Sequence, residues 1–325
     1  MTSFELSLEM AQRANLLTRQ GVPVFMGSRP MQTNADLQSA DVAIVGIPFV
    51  SPLIGFENDI APGKVRIAGL NYWGTYIAEL GVDPAETLAI VDYGDIDLPF
   101  GDPEGSVRAV ERALGEIIGA GCLPVTIGGN APASSYAVAN VLAAHTPGSI
   151  GVISFDGHCD TAADWGDDAN SSNWVRASYL KNPQLSPANH VQIGLRGMSN
   201  RREDMSFYRE RGMRTIMARD VRDVGSKHLA AEAVRHATDG VDQLWLAVDL
   251  DVFDSTETPD WAWPDPYGLR AADVLETAFA AGKSGKLRGL SVMMIGGNVY
   301  SVQRLACWIV MYCLAGYAMA NRPSA

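Results

Sequence analysis

The 325-residue chain has few cysteines, few histidines and too little positive charge to balance its acids. Its four cysteines, at 122, 159, 307 and 313, form no CxxC pair. That spacing excludes a disulfide framework and a zinc ribbon, and the thiols are expected to be buried and reduced. Lys and Arg number 25 against 37 Asp and Glu, a formal net charge of −12. A field of that sign repels polyanions, which excludes nucleic acid as a partner. The longest apolar run, 305–320, is shorter than the ~20 residues of a membrane span and reads as a buried helix. No membrane partner is expected. The first twenty residues scatter Glu, Arg and Gln among their apolar positions, unlike a signal peptide, so the cytoplasm is the expected address. There is no Pro- or Ser-rich linker and no internal repeat. The chain reads as one domain over 1–325, with residues 1–40 an N-terminal extension packed on the domain or on a neighbouring subunit.

Hydrophobic residues make up 47% of the chain, enough to bury a large core. Seven short runs rich in β-branched residues recur along it: 41–48 (DVAIVGIP), 88–93 (LAIVDY), 123–127 (LPVTI), 149–155 (SIGVISF), 190–195 (HVQIGL), 244–249 (LWLAVD) and 287–294 (LRGLSVMM). Their hydrophobicity is continuous rather than alternating, which predicts strands of a parallel sheet buried on both faces. Helix patterns fall between them at 103–120, 134–144, 227–238, 271–281 and 301–319. The alternation predicts an α/β domain built from βαβ units. In such sheets ligands bind beyond the carboxyl ends of the strands.

Aspartates stand at those ends. SIGVISF runs into Asp156-Gly157-His158-Cys159-Asp160, and LWLAV into Asp249-Leu250-Asp251-Val252-Phe253-Asp254. Each Asp alone could serve as a helix cap. Together, a D-x-H-x-D and a D-x-D-x-x-D cluster would crowd several carboxylates and one imidazole into a single crevice. Crowded like charges need a cation, and this mix of oxygen and imidazole donors suits first-row divalent ions at a hydrolytic centre.

The two clusters, in this order, resemble those of the ureohydrolase superfamily, the arginase and agmatinase relatives. The 41–48 strand, Ala61-Pro62-Gly63 with Arg66, Asp92-Tyr93-Gly94-Asp95, Gly128-Gly129-Asn130 and Trp263-Pro264-Asp265-Pro266-Tyr267-Gly268-Leu269 look like further landmarks of that family. The resemblance implies a three-layer α/β/α fold with a mainly parallel central sheet. It also implies a two-metal centre, Mn or Ni here, acting on a small guanidino compound. Asp156, His158, Asp160, Asp249 and Asp251 match five of the family's six metal ligands, with Asp160 and Asp249 the carboxylates at the reacting centre. Cys159 matches a position that points away from the metals in the family.

Three matches fail. The sixth ligand, the histidine of a G-G-D-H-S motif, falls on Ala131. The carboxylate that holds the substrate guanidinium falls at Met294. The loop 168–174 has no histidine where the family places one. One ion site therefore reads as intact and the other as crippled, leaving one ion or none in the isolated chain. Three functions remain open. The chain resembles the degraded companion subunit of two-subunit metformin hydrolases, which implies a structural or regulatory role beside an active ureohydrolase paralogue in a trimer or hexamer. A self-sufficient, divergent agmatinase-like hydrolase of a substituted guanidine is the alternative, with Met294, Trp165, Trp174, Trp261 and Trp263 lining an apolar pocket. A binding or regulatory module without chemistry is the third.

Overall fold

The computed structural model describes residues 17–321, apart from 19, 51–58, 165, 167, 260 and 262–264. Trp165 and Trp263 thus lie outside the described residues. The strands are β1 (Arg29–Pro30), β2 (Val42–Ile47), β3 (Ile90–Asp95), β4 (Leu123–Gly128), β5 (Ile150–Phe155), β6 (Leu185–Leu195), β7 (Arg214–Met217), β8 (Gln243–Asp249) and β9 (Leu287–Met293). They form one sheet in the order β1-β3-β2-β4-β9-β8-β5-β6-β7, and every pairing in it is parallel. All seven runs read as strands are strands.

Their continuous hydrophobicity has the expected cause. β2, β4 and β5 are buried along their whole length, because helices cover both faces of the sheet. One layer packs Ala61–Gly69, Ser226–Thr238, Ala271–Lys283 and Tyr300–Ala320 together; the other packs Pro103–Gly119, Ala137–Ala144 and Trp174–Lys181. The three-layer α/β/α architecture is the one expected. β1 and β7 were not expected. They are the two edges of the sheet, two and four residues long and partly exposed, too short to carry a hydrophobic pattern.

The helix Tyr300–Ala320 is long and apolar enough to span a membrane by length and composition alone. Here it is a core element, and 72% of its most apolar stretch is buried inside the fold. Small residues bring it against Ala271–Lys283. A Cβ on Gly316 would lie 2.1 Å from Phe279 O, and one on Gly282 would lie 2.1 Å from Cys313 O. Backbone touches backbone at that crossing, so only glycine fits.

Two of the landmark stretches turn out to be architecture. Arg66 is fully buried and donates to Asp92 from Nε (2.8 Å) and Nη2 (2.9 Å). Asp92 also accepts the backbone N–H groups of Phe25 (2.7 Å) and Gly94 (2.9 Å). A buried charge pair satisfied on all sides is costly to break, since either partner alone would be left uncompensated.

Candidate metal centre

Because the strands are parallel, their carboxyl ends lie on one edge, and the order of the sheet decides which ends are neighbours. β4, β9, β8 and β5 are consecutive. Their ends deliver Asn130 and Ala131, then Met294, then Asp249 and Asp251, then Asp156, His158 and Asp160. Stretches more than 160 positions apart thus meet at one cavity. It measures about 260 Å³ and is lined by Ala131, His158, Asp160, Asp249, Asp251 and Met294, with Ser171, Ser172, Ser199 and Arg201 toward its other walls.

Asp156, His158 and Asp251 offer ligand atoms that all lie within 4.8 Å of one another. His158 Nδ1 is 2.8 Å from Asp251 Oδ2 and 3.8 Å from Asp156 Oδ1. The main chain sets this geometry. Asp156 Oδ1 accepts the His158 N–H (2.6 Å), Asp251 Oδ1 accepts the Gly157 N–H (2.9 Å), and Asp249 Oδ1 accepts the Asp251 N–H (2.9 Å). Asp156 Oδ2 is buried and makes no hydrogen bond. A buried carboxylate oxygen left without a donor calls for an explanation, and an ion is one.

The electrostatics agree. Burial raises Asp156 and Asp249 well above the usual carboxylate range, and the neighbouring carboxylates add to the rise. Asp160 is raised by burial too, with His158 opposing. Burial also pushes on Asp251, but the facing imidazole and the Gly157 N–H win, and it lies below the usual range. Facing Asp251, His158 is pushed up to about 10. Three buried acids and the half-buried Asp160 thus face a single imidazolium, too little positive charge to balance them. The residues fit a divalent cation.

Residues 40–315 match the arginase family. The chain belongs to that family. It is 27% identical over 280 residues to a formimidoylglutamase of Halalkalibacterium halodurans, covering 84% of this chain and 86% of that protein. It is 26% identical over 257 residues to a guanidinobutyrase of Pseudomonas aeruginosa, covering 79% of each. Among solved structures, a Trypanosoma cruzi formiminoglutamase crystallised with Mn2+ superposes with a TM-score of 0.77 at 22% identity, over 90% of this chain and 97% of that one. At that identity the likeness concerns the fold.

Two of the three positions that fail the expected match lie at the cavity. Ala131 and Met294 both line the cavity. The loop after β9 crosses the end of β4, where Met294 N–H donates to Gly129 O (3.0 Å) and Ile295 N–H to Gly128 O (3.4 Å). Met294 has a φ of 55°, and Asp160 one of 47°. Left-handed backbone at non-glycine residues is held only by surrounding structure and gathers at functional sites. Ser171 and Ser172, in the loop 168–174, also line the cavity.

Other expectations need correction. Among the described residues no tryptophan lines the cavity. Trp174 is buried edge-on against Trp245, with ring centroids 5.7 Å apart, and Trp261 is core. Cys159 is one of the cavity-lining residues, and burial pushes its thiol up to about 11. Asp254 ties its own loop, accepting from Thr256 and from the Gly268 N–H.

Several supports of the site were not legible. Arg196 Nη2 donates to Asp251 O (2.6 Å) and Phe253 O (3.2 Å). Asn200 holds the D-x-H-x-D turn from both sides, accepting the Cys159 N–H (2.8 Å) and donating to Gly157 O (2.9 Å). Both follow β6, and only the pairing of β6 with β5 brings them here. Arg201, at the cavity wall, grips Asp164 with two nitrogens, each at 2.6 Å, and Asp204 with Nε at 2.6 Å.

Proposed function

We propose that this chain is a subunit of a metal-dependent hydrolase of C–N bonds in a small guanidino compound, holding one ion position and working beside an active ureohydrolase paralogue in a trimer or hexamer. The observation that carries the reading is the wall formed by Ala131 and Met294, directly beside an otherwise complete cluster of acids and imidazole. A relative named for guanidinobutyrate chemistry supports the substrate class, and one named for formimidoylglutamate, an amidine, supports C–N hydrolysis of the same kind. A companion of the metformin-hydrolase kind is the form of this reading that fits a site only half dismantled.

Asp156, His158 and Asp251 would hold the ion, with Asp249 and Asp160 as further carboxylate donors; Mn2+ and Ni2+ both suit such a set. Bound there, the ion would acidify water and polarise the bond to be cut. For this, His158 must give up its proton, while the Asp249 and Gly157 contacts keep Asp251 aimed inward. The weak step is substrate hold. A guanidinium that finds Met294 in place of a carboxylate loses a charge-assisted bond, about 1.5–3 kcal/mol. An imidazole is also missing at Ala131. The two losses act on different steps and compound.

The second reading is a self-sufficient hydrolase of a substituted guanidine, and Met294 in the cavity wall favours an apolar substituent. Urea or amine release separates the two. The pure chain with Mn2+ or Ni2+ is expected to turn over no guanidino compound, whereas a co-purified complex with an intact paralogue turns over and loses activity when the paralogue's own G-G-D-H-S histidine is replaced. Sustained metal-dependent turnover by the chain alone would establish the second reading instead.

A further inference from the structure

Behind the metal-centre turn lies a line of polar side chains that does not open on the cavity. Ser154, His190, Gln192 and Tyr208 are all buried to within 1% of their surface. Strand register puts three of them side by side, since Ser154 of β5 pairs with Gln192 of β6 and Val152 with His190. His190 Nε2 is 2.8 Å from Ser154 Oγ, and Nδ1 is 2.7 Å from Tyr179 Oη. Ser154 Oγ bonds Gln192 Oε1, and Gln192 Nε2 reaches His158 O at 3.5 Å. Tyr208 Oη donates to Cys159 O at 2.8 Å and lies 3.2 Å from Gln192 Oε1.

Counting hydrogens gives this line a direction. A main-chain carbonyl only accepts, so the Gln192 NH2, 3.5 Å away, faces His158 O, and its oxygen faces Ser154 and shares the Tyr208 hydroxyl hydrogen with Cys159 O. Ser154 has one hydroxyl hydrogen, and Gln192 Oε1 takes it. The lone pair of Ser154 then needs a donor, which His190 supplies from Nε2–H. Nδ1 is left bare and receives the Tyr179 hydroxyl. Burial holds the His190 imidazole down to about 4, so it is neutral at pH 7.

We infer that Tyr179, His190, Ser154 and Gln192 form a one-way hydrogen-bond relay that fixes the carbonyl of His158, with His190 as a positioning residue locked in its Nε2–H tautomer. Gln192 holds the His158 carbonyl, Tyr208 that of Cys159, and Asn200 that of Gly157. Three consecutive carbonyls between Asp156 and Asp160 are thereby pinned from behind. What the relay positions rests on the metal-centre reading; its direction does not.

Two measurements on the full chain test it. Long-range nitrogen-15 NMR of the histidine rings, without metal at pH 7, is expected to show His190 with Nε2 protonated and Nδ1 bare. A protonated Nδ1, or exchange between tautomers, would overturn the relay. Then Gln192→Glu, which presents an acceptor to the His158 carbonyl, and the milder Ser154→Ala are titrated with Mn2+. Each is expected to weaken binding about tenfold or more, as loss of supports behind a ligand does, while the metal-free melting curve stays cooperative. Unchanged Mn2+ affinity in both variants would also overturn it. A wild-type chain that binds no Mn2+ would instead defeat the metal-centre reading, and the tautomer result would still judge the relay.

Discussion

At neutral pH Asp251 keeps a proton on His158, so a metal ion must displace that proton to reach the imidazole. The facing carboxylate pushes His158 up to about 10, and below that value each unit of pH makes the displacement harder. Apparent Mn2+ affinity is therefore expected to rise at least about tenfold per pH unit between pH 6 and 8, with at least one proton released per ion, since the raised carboxyls must give theirs up as well. Calorimetry in two buffers of different ionisation heat reads both quantities, and a flat profile would contradict the pairing. The same shift acts on the metal-free fold. A raised pKa stabilises fully below the ordinary histidine value of about 6.5, and that stability is lost as the pH climbs toward 10. Asp156 and Asp249, raised by burial and then by the neighbouring carboxylates Asp160 and Asp251, act in the same sense. The melting temperature of the metal-free protein is expected to fall from pH 6.5 to 10. A second test concerns the lost ligand. Ala131→His puts an imidazole back on the cavity wall and is expected to add one bound ion per chain by equilibrium dialysis; unchanged stoichiometry would mean that position 131 does not face the ion pair. At this scale the ligand types and spacings were legible, because D-x-H-x-D and D-x-D-x-x-D are local. Gln192, Asn200 and Tyr208 were not, because the pairing of β5 with β6 and long-range packing bring them to the turn.

Among the elements, the crossing of Tyr300–Ala320 with Ala271–Lys283 is the tightest backbone approach that glycine makes between two helices here. Gly316→Ala must push the helices apart or lose the core contact, a cost of about 2–4 kcal/mol. Thermal melting is expected to show it, while Mn2+ affinity of the folded fraction stays at the wild-type value. An unchanged melting temperature would mean that the crossing is loose. The strands were legible for a physical reason: buried on both faces, they need uninterrupted apolar side chains. The edge strands β1 and β7 lack that need. The short helices Arg202–Glu210 and Ala218–Val224 escaped notice for a similar reason, as seven or nine residues carry little periodicity. The helix expected over 134–144 starts instead with a π turn, Pro132–Tyr136, right after Ala131.

Across the whole molecule, the order β4-β9-β8-β5 explains why losses far apart in sequence fall on one cavity. Ala131 and Met294 ride on adjacent strands, and the surviving acids on the next two. Positions 131 and 294 are 163 residues apart in the chain, and only the sheet places them in the same wall. On the proposed reading, the chain sets Ala131 and Met294 beside the acids of an arginase-family domain, as a companion subunit would. Metal content decides it most directly. Elemental mass spectrometry on the lone chain, saturated with Mn2+ and then desalted, is expected to find no more than one ion per chain, and none once His158 is replaced by Ala. Two ions per chain in the unaltered protein would contradict the loss of the second position and, with it, the companion-subunit reading.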